Sequence, residues 1–330
     1  QSQGQGYSHA YKYTPDRTNT NWSTQRSAIL SLTHTLSKRA FHELKASYTD
    51  LWSQSSRFKD PYDPGYVHDK YSTSQGGFTT GGNDKGFSYN SNDRLEFKYD
   101  LTWQAATHHE LKMGADLVRM TRHPYSFSLQ NRYKNTPYEA DLYEPTIWGQ
   151  ETTYTNEYIK HPQEFSAYVQ DKSEFDELVI NYGLRYDWFD PNTIYPTDIR
   201  NPANKIEGTR HTDYAEAKPQ YQVSPRIGLS YSVASAAALH FSYGHFFQIP
   251  DYGRMYENPD YEVASLNYAS TIGNPNIKAE KTVKYELGLQ LQVMERMVLN
   301  TTIYYHDIYN LESKRPVETY DAIIFGYYIN

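Results

Sequence analysis

The side chains most able to bind a metal ion in this 330-residue chain are its histidines. His108 and His109 are adjacent and lack the spaced partner residues of a zinc motif. His240 and His245 are five residues apart, which in an extended strand sends them to opposite faces, so they cannot share one ion. We therefore expect neither a bound transition metal nor a cofactor.

Oxygen ligands for a different kind of ion are clustered in the stretch DPYDPGYVHD. Asp60, Asp63 and Asp69 carry carboxylates of the type that Ca²⁺ prefers, although their spacing departs from that of an EF-hand loop. A turn built from Pro and Asp explains the same residues, because both types favour turn conformations. The three aspartates are therefore either a candidate calcium site or part of a turn that binds no ion.

Charged residues of alternating sign occupy every second position in several segments. Nothing in the sequence gives one of these carboxylates the special surroundings of a catalytic acid. Side chains two apart on a strand share a face, so opposite charges can pair there. We expect a polar wall, facing a lumen, and no enzyme site. The predicted lumen-facing residues are Arg94, Glu96, Lys98, Asp100, Arg185, Asp187, Lys284 and Glu286.

The stretch HFFQIPDYGRMYENPDYEVASLNYAS is rich in aromatic residues. Aromatic residues and Arg dominate recognition surfaces, partly because rings are ordered at low entropic cost. An alternative is that such Tyr-rich loops pack on one another and close the outer mouth of the fold. The candidate substrate-binding residues are Phe246, Phe247, Gln248, Tyr252, Arg254, Tyr256 and Tyr261.

The elements that position these residues are predicted to be β-strands. In VKYELGLQLQV, apolar side chains recur at every second position from Val283 to Val293, with polar ones between them, as an extended strand requires. The same alternation, of varying clarity, recurs in other segments. The ten predicted strands lie at 29–36, 43–52, 94–103, 110–118, 165–172, 178–188, 226–233, 239–246, 283–293 and 299–308, and an eleventh candidate lies at 322–329.

The connections between these strands alternate in length. Short turns are predicted at 37–39, 105–109, 173–177, 234–237 and 294–296, and long polar segments at 56–93, 121–162, 189–223 and 248–280. Short periplasmic turns and long extracellular loops are typical of a transmembrane β-barrel. A soluble antiparallel sheet also alternates apolar and polar residues, but it has no reason to sort its loops by length. The sequence therefore predicts an all-β, antiparallel, up-and-down barrel.

Composition agrees with a membrane surface. Mean hydropathy is −0.83, yet the chain contains 34 Tyr, 13 Phe and 5 Trp, which argues against disorder. Amphipathic rings are useful where a protein meets a membrane–water interface. Cysteine is absent, and the mild net charge of −7 argues against a nucleic-acid partner. The amino end has no apolar segment of the kind found in a signal peptide.

Several segments together resemble the barrel of TonB-dependent outer-membrane receptors. GNPNIKAEKTVKYELGLQLQV is similar to a family segment in which a loop of the form Gly-Asn-Pro-x-Leu-Lys-Pro-Glu precedes a strand carrying Glu-x-Gly. Ile277 and Ala279 stand where Leu and Pro are more usual. The resemblance covers most of residues 94–311 and is nearest to members with a carboxypeptidase-regulatory-like amino-terminal domain. The other matching segments lie at 165–191, 223–233, 239–250 and 301–311.

The resemblance implies a receptor and transporter of the Gram-negative outer membrane. Such a protein contacts outer-membrane lipid, captures a substrate too large or scarce for porins, and releases it when TonB moves an amino-terminal plug. The substrate, whether a small molecule, a glycan or a peptide, is not named by these motifs. An outer-membrane barrel enzyme of the protease or lipase type and a soluble β-rich binding protein are the alternatives.

The sequence departs from the family pattern at both ends. No plug or TonB box is visible before the first predicted strand, and the last strands with their terminal aromatic residue are not visible. About ten strands are too few for the twenty-two of the family's barrel. We therefore expect residues 1–330 to be part of one barrel domain, beginning in one extracellular loop and ending shortly after another.

Overall fold

The computed structural model describes residues 2–5, 8–149, 152, 154–205, 212–258, 271–320 and 324–329. Ten long antiparallel strands form its main sheet, which confirms the predicted all-β, up-and-down architecture. The strands are β1 (Thr20–Ser37), β2 (Ala40–Ser56), β3 (Gly86–Ala106), β4 (His109–Ser128), β5 (Gln163–Phe175), β6 (Leu178–Asp190), β7 (Gln220–Ala234), β8 (Ala237–Gln248), β9 (Glu280–Met294) and β10 (Met297–Tyr309).

Each long strand pairs with the next one along the chain. Five connections, at one end of the sheet, contain only two residues each: 38–39, 107–108, 176–177, 235–236 and 295–296. In the turn after β5, Asp176 has a φ of 34°, a left-handed value that Asp tolerates better than most residues. The other four connections are long. The predicted sorting of short turns and long loops is therefore confirmed.

Most strands are longer than the alternation predicts. They contain 12 to 21 residues, whereas a tilted membrane strand needs about 9 to 11. The added residues lie mainly toward the long loops, as in β3, which begins at Gly86 and runs through polar positions such as Asn90. A strand whose two faces both meet water needs no alternation of apolar and polar residues. The alternation in the sequence therefore ends before the paired strand does.

The register gives the sheet one polar face and one apolar face. Lys98 lies opposite Asp116, and Lys284 lies opposite Gly244 and His306, on the polar face. On the other face of β9, Tyr285 is 42% exposed and Leu287 is 53% exposed. An apolar face left open over ten strands matches the lipid-facing surface of a membrane barrel. Val283 is on the same face as Tyr285 and Leu287 in the alternation, but it is buried near the loop end of β9.

The shorter elements lie in the long connections and at the amino end. Ser2–Gln5 pairs with β1, and Thr155–Glu157 pairs with β4. The small sheets pair Ser74–Gln75 with Phe78–Thr79, Gln130–Asn131 with Pro145–Thr146, and Ile194–Pro196 with Tyr214–Glu216. The helical segments are α1 (Tyr252–Tyr256) and 3-10 turns at His9–Tyr11, Pro15–Arg17, Asp69–Tyr71 and Pro202–Lys205. Among the described residues, no helix is long and apolar enough to cross a membrane.

The candidate strand at 322–329 is not a strand of the wall. Ile324–Ile329 pairs with Lys314–Glu318 and with Thr271–Ile272 in a separate three-stranded sheet. Residues 321–323 lie outside the described residues. The alternating pattern was read correctly as a strand, but its hydrogen-bond partners belong to the loops, and sequence alone does not identify partners.

Buried apolar side chains concentrate beyond the loop ends of the strands. One cluster joins Phe189, Met255, Tyr256 and Ile277. A second joins Tyr66, Phe87, Phe127 and Leu129, with the rings of Phe87 and Phe127 stacked 4.7 Å apart. Both lie where long connections meet strand ends. These clusters fix the loops against one another and so define the surface above the polar face.

Candidate functional site at the loop end of the sheet

The helix α1 is fixed over the loop end of the sheet by two buried side chains, Met255 and Tyr256. The carboxylate of Asp251 caps the helix by accepting a hydrogen bond from the backbone N–H of Arg254, at 3.3 Å. The hydroxyl of Tyr256 donates to the backbone carbonyl of Pro191, at 2.6 Å. The connection between β8 and β9 is thereby tied to the connection between β6 and β7.

The segment before β9 crosses the same site. The N–H of Gly273 donates to the carbonyl of Glu257 at 2.7 Å, so the segment runs directly against α1. A Cβ at Gly273 would lie 2.6 Å from the Glu257 nitrogen and 2.8 Å from the Met255 oxygen. Only glycine fits this close approach of two backbones.

One side chain of β7 fixes the rest of this segment. The amide group of Gln220 donates to the Ile277 carbonyl at 2.6 Å and accepts from the Ala279 N–H at 2.9 Å. These two positions are the ones where the chain departs from the family pattern by carrying Ile and Ala. Their backbone groups are nevertheless held, so the departure alters side chains without releasing the loop.

Tyr252 connects α1 to the wall. Its hydroxyl donates to the Glu164 carboxylate at 2.5 Å, and the guanidinium of Arg122 lies 5.3 Å from its ring centre. Burial, followed by the neighbouring Glu164 carboxylate, raises the pKa of Tyr252 above its ordinary value. The hydroxyl therefore stays protonated and keeps donating to Glu164 throughout the physiological range.

A cavity of about 470 Å³ lies under α1. Its wall carries Glu164 from β5 and both Arg185 and Asp187 from β6, and its roof includes Asp251 and Tyr252. Arg185 and Asp187 pair at 2.8 Å. Asp116, from β4, also lines it, and its Oδ1 is buried with no hydrogen-bond partner among the described residues. This outer cavity is therefore polar and rich in carboxylates, and residues 249–252 of the loop that contains several predicted binding residues form part of its lining.

The predicted binding residues occupy different environments. Phe247 and Tyr252 line the outer cavity, and Gln248 is the exposed last residue of β8. Phe246 lies lower, on the polar face. Arg254 pairs with Glu312 at 3.2 Å, while Tyr256 is buried in the loop core. Tyr261 lies outside the described residues.

The structure therefore gives Tyr256 a packing role and brings Phe247 and Tyr252 to one cavity. It does not join all of the predicted binding residues in one surface.

The predicted wall charges lie on the polar face, where most of them pair. Arg94 contacts Glu96 at 3.4 Å, and Lys98 contacts Asp100 at 3.1 Å. Glu286 lies 3.7 Å from His306 and accepts a hydrogen bond from Ser242 at 3.2 Å. Lys284 differs, because its ammonium group lies 5.0 Å from the ring centre of Phe246.

The three aspartates of the calcium hypothesis each have another role. Asp60 accepts from the N–H of Tyr62, Asp63 accepts from the N–H of Gly65, and Asp69 pairs with Lys85 at 2.6 Å. Within the described ranges, no group of three or more His, Cys, Asp or Glu side chains is placed to hold a metal ion. The stretch forms turns of the Asx type, which the alternative interpretation anticipated.

One Ser–His–Asp cluster is present, at the short-turn end of the sheet. His109 Nδ1 lies 2.8 Å from Asp171 and 3.1 Å from the hydroxyl of Ser173. A catalytic triad needs the acid on one ring nitrogen and the nucleophile on the other. Here both partners face the same nitrogen, so this cluster lacks triad geometry.

Sequence reasoning missed Glu164, Asp116 and Gln220. Glu164 and Asp116 are single acids in ordinary strands, and nothing in their spacing distinguishes them from other wall charges. Gln220 sits in a segment predicted as loop, and its function depends on a partner about sixty positions away along the chain. Only the register of the sheet brings these side chains to the outer cavity.

Comparison with known proteins matches the whole chain to one protein family. A family model described as "TonB dependent receptor-like, beta-barrel" matches residues 1–330. A curated relative, the ferrichrome outer membrane transporter/phage receptor of Escherichia coli K12, is 26% identical over 149 residues, which cover 42% of this chain and 17% of that protein.

Solved structures share the fold at low sequence identity. The outer membrane transporter YddB of Escherichia coli has a TM-score of 0.62 at 11% identity, over 96% of this chain and 38% of that one. The Serratia marcescens hemophore receptor HasR, solved with its hemophore and heme, has a TM-score of 0.61 at 14% identity, over 95% and 44%. The chain therefore spans less than half the length of these similar proteins.

Proposed function

The chain belongs to the TonB-dependent receptor-like β-barrel family, whose members lie in the Gram-negative outer membrane, and from this premise we propose that it forms part of the barrel wall of an importer. The importer takes up a scarce or large substrate with energy delivered by TonB. The family match over residues 1–330 carries this proposal. Residues 1–330 then form part of one barrel domain, and TonB acts through a plug contributed by other residues of the protein.

The two faces of the sheet support this function. The apolar face, with Leu287 and Tyr285 open to the surroundings, fits a surface solvated by lipid. The polar face then lines the lumen, with Arg94, Glu96, Lys98 and Asp100 along β3. A lumen lined by paired charges offers a hydrated path and many partners for a moving plug. We assign the long loops to the outside of the cell and the two-residue turns to the periplasm.

The outer cavity supports capture at the extracellular mouth. Tyr252, Phe247 and Arg185 line it, and Tyr252 is the first residue of α1. Of the similar proteins, one is named as a ferrichrome transporter and another was solved with a hemophore and heme. By analogy, the cargo of this receptor is a small molecule, glycan or peptide that porins exclude. From the resemblance of its motifs, we also propose that the protein belongs to the subgroup with a carboxypeptidase-regulatory-like amino-terminal domain.

An outer-membrane barrel enzyme is the second candidate, and the structure offers it less support. In the Ser173–His109–Asp171 cluster the serine and the aspartate both face Nδ1 of the histidine, and the cluster lies at the end of β5 opposite the outer cavity. A transporter needs no such constellation. We therefore assign no catalytic residue to this chain.

The test compares uptake with and without TonB. The intact receptor that contains this chain would be expressed in two otherwise identical Gram-negative strains, one of which lacks TonB. Depletion of compounds from a defined nutrient mixture is then measured by mass spectrometry. Import predicts a compound that only the strain with both receptor and TonB removes. Equal depletion in both strains, or conversion of a compound to a product in the medium, would contradict import and favour the enzyme.

A further inference from the structure

We infer that the apolar face carries a docking site for one membrane lipid with a phosphate in its headgroup. The site has two adjoining parts on strands β1 to β5, each with a volume of about 350 Å³. The headgroup pocket is lined by polar residues that include Tyr48, Asp93, Arg119, Thr121, His161 and Gln163. The acyl groove is lined by apolar residues that include Leu30, Leu44, Ala46, Phe97, Ala115 and Leu117.

The register makes the two parts neighbours on the same face of the sheet. One row across β2 to β5 consists of Tyr48, Leu95, Arg119 and Gln163. The next row toward the two-residue turns consists of Ala46, Phe97, Leu117 and Phe165. The rows are two residues apart on every strand, so their side chains point the same way. The headgroup pocket therefore adjoins the acyl groove on its long-loop side.

Arg119 gives the headgroup pocket a cation that binds phosphate. Its side chain is exposed, and among the described residues no carboxylate pairs with it. The Asp93 carboxylate of the same pocket instead accepts from the Tyr48 hydroxyl at 3.2 Å. His161 is also exposed, with Nδ1 3.4 Å from the Thr121 hydroxyl. A guanidinium holds a phosphate through paired hydrogen bonds, and the plug, which lies in the lumen, cannot reach this face.

Small side chains open the acyl groove beside β3. Ala46 lies opposite Phe97, and Ala115 lies opposite Tyr99. The ring of Phe97 is 50% exposed and stands between these two small residues. A lining of leucine, alanine and aromatic rings offers few hydrogen-bond partners. A hydrocarbon chain suits it, because such a chain packs through van der Waals contacts alone.

The combination of the two parts defines the occupant. An isolated Arg near the edge of an apolar band anchors a wall by reaching to headgroups in general. Arg119 differs, because a pocket surrounds it and a groove leads away from it, so one lipid contacts both parts. The phosphate meets Arg119, and Asp93 accepts from a hydroxyl of the headgroup. The inference rests on the proposed function only in treating the apolar face as the lipid-facing surface.

Three probes separate the contributions of headgroup and chains. The intact receptor in detergent is titrated with dimyristoylphosphatidylglycerol, with dimyristoylglycerol, which lacks the phosphate, and with glycerophosphoglycerol, which lacks the chains. Native mass spectrometry measures the bound fraction of each. We expect the complete lipid to bind roughly tenfold or more tightly than either part, since only it makes the charge-assisted hydrogen bonds together with the apolar contacts.

Matched variants locate the lipid. Arg119→Gln should weaken binding of the complete lipid by roughly tenfold, the effect of one lost charge-assisted contact. Lys281→Gln removes the same charge from the same face on β9 and should leave binding unchanged.

Ala115→Phe fills the acyl groove and should weaken binding several-fold, by an amount that depends on how far the neighbouring side chains move. Ala237→Phe adds the same ring to the same face at the turn end of β8 and should have no effect. Heat-modifiable migration on a gel confirms that each variant is folded.

The inference is wrong if dimyristoylglycerol binds as tightly as the complete lipid, because the face is then solvated by lipid without a site. It is also wrong if glycerophosphoglycerol binds as tightly, which would indicate a site for free anions. Unchanged binding by both Arg119→Gln and Ala115→Phe would place the lipid elsewhere. TonB-dependent uptake is scored separately. Uptake without lipid docking contradicts only this inference, and lipid docking without uptake contradicts only the proposed function.

Discussion

The hydroxyl of Tyr256 donates a hydrogen bond to the backbone carbonyl of Pro191, and this contact joins two extracellular connections that are distant in sequence. Tyr256 is buried, so water cannot replace the bond if it is removed. Residues chosen from the sequence as a recognition surface thus include one that holds the surface together. The contact also makes the position of α1 depend on the connection between β6 and β7.

Replacement of Tyr256 by Phe should loosen the loops without unfolding the barrel. The Pro191 carbonyl would be left buried and unsatisfied, which costs about 1–3 kcal/mol. We expect hydrogen exchange in 249–258 and 191–196 to become roughly tenfold faster, as measured by mass spectrometry. Tyr62→Phe, at an exposed loop position, is the control. Unchanged exchange in both segments would show that the bond contributes nothing to loop order.

Replacement of Gly273 by Ala should displace the segment before β9 from α1. The added Cβ would lie 2.6 Å from the backbone nitrogen of Glu257, closer than any relaxed contact, so one of the two segments must move. We expect a loss of about 2 kcal/mol or more in local stability, as for other sites that favour glycine. Trypsin cleavage after Arg254 should accelerate. Gly228→Ala, which meets open space, should be cleaved like the parent protein.

Alkaline pH should open the loop cluster around Tyr158. Burial raises the pKa of Tyr158 from 10.0 to about 12, so the folded protein favours the neutral phenol. Its contribution, about 3 kcal/mol at most, is fully present below pH 10 and is lost as pH rises toward 12.

Near-ultraviolet circular dichroism of the loop aromatic residues should therefore fall over that interval. Tyr158→Phe removes this titrating group and should shift the fall to higher pH. A fall in the parent protein that is complete below pH 10 would contradict the assignment.

A charge on the apolar face of β9 should destabilise the barrel in the membrane. Leu287→Arg places a cation against lipid, at a cost of about 2–4 kcal/mol near the middle of the bilayer. Gln290→Arg, on the polar face of the same strand, should cost little. Urea titration in lipid vesicles measures the difference. Equal costs at the two positions would contradict the assignment of the faces.

The sequence predicted those parts of the fold that repeat at every second residue. The clear alternation in 94–103 and 178–188 lies within β3 and β6, because each membrane strand must separate lipid from lumen. The outer half of β3 was missed, since polar residues on both faces leave no period. The segment 322–329 was assigned to the wall although its partners lie in the loops.

The site was less predictable than the wall. Phe247 and Tyr252 were identified by residue type, and both line the outer cavity. Glu164 and Asp116 reach that cavity only through the register of β4, β5 and β6, which the local pattern does not specify. The pairing of Arg226 and Lys284 with one ring likewise depends on which three strands are neighbours. A site whose side chains come from several strands can be recognised only when the register of those strands is known.

The unequal strand lengths give the wall an uneven height on the side of the long loops. β3 has 21 residues and β8 has 12, a difference of roughly 30 Å of strand at about 3.3 Å per residue. Since the two-residue turns share one end of the sheet, most of that difference extends outward. The hydrogen-bonded wall is therefore tall along β1 to β4 and short near β8, where α1 and the segment before β9 stand on the strand end. A bulky particle such as an antibody would meet paired strands on the tall side and the packed connection that carries α1 on the short side.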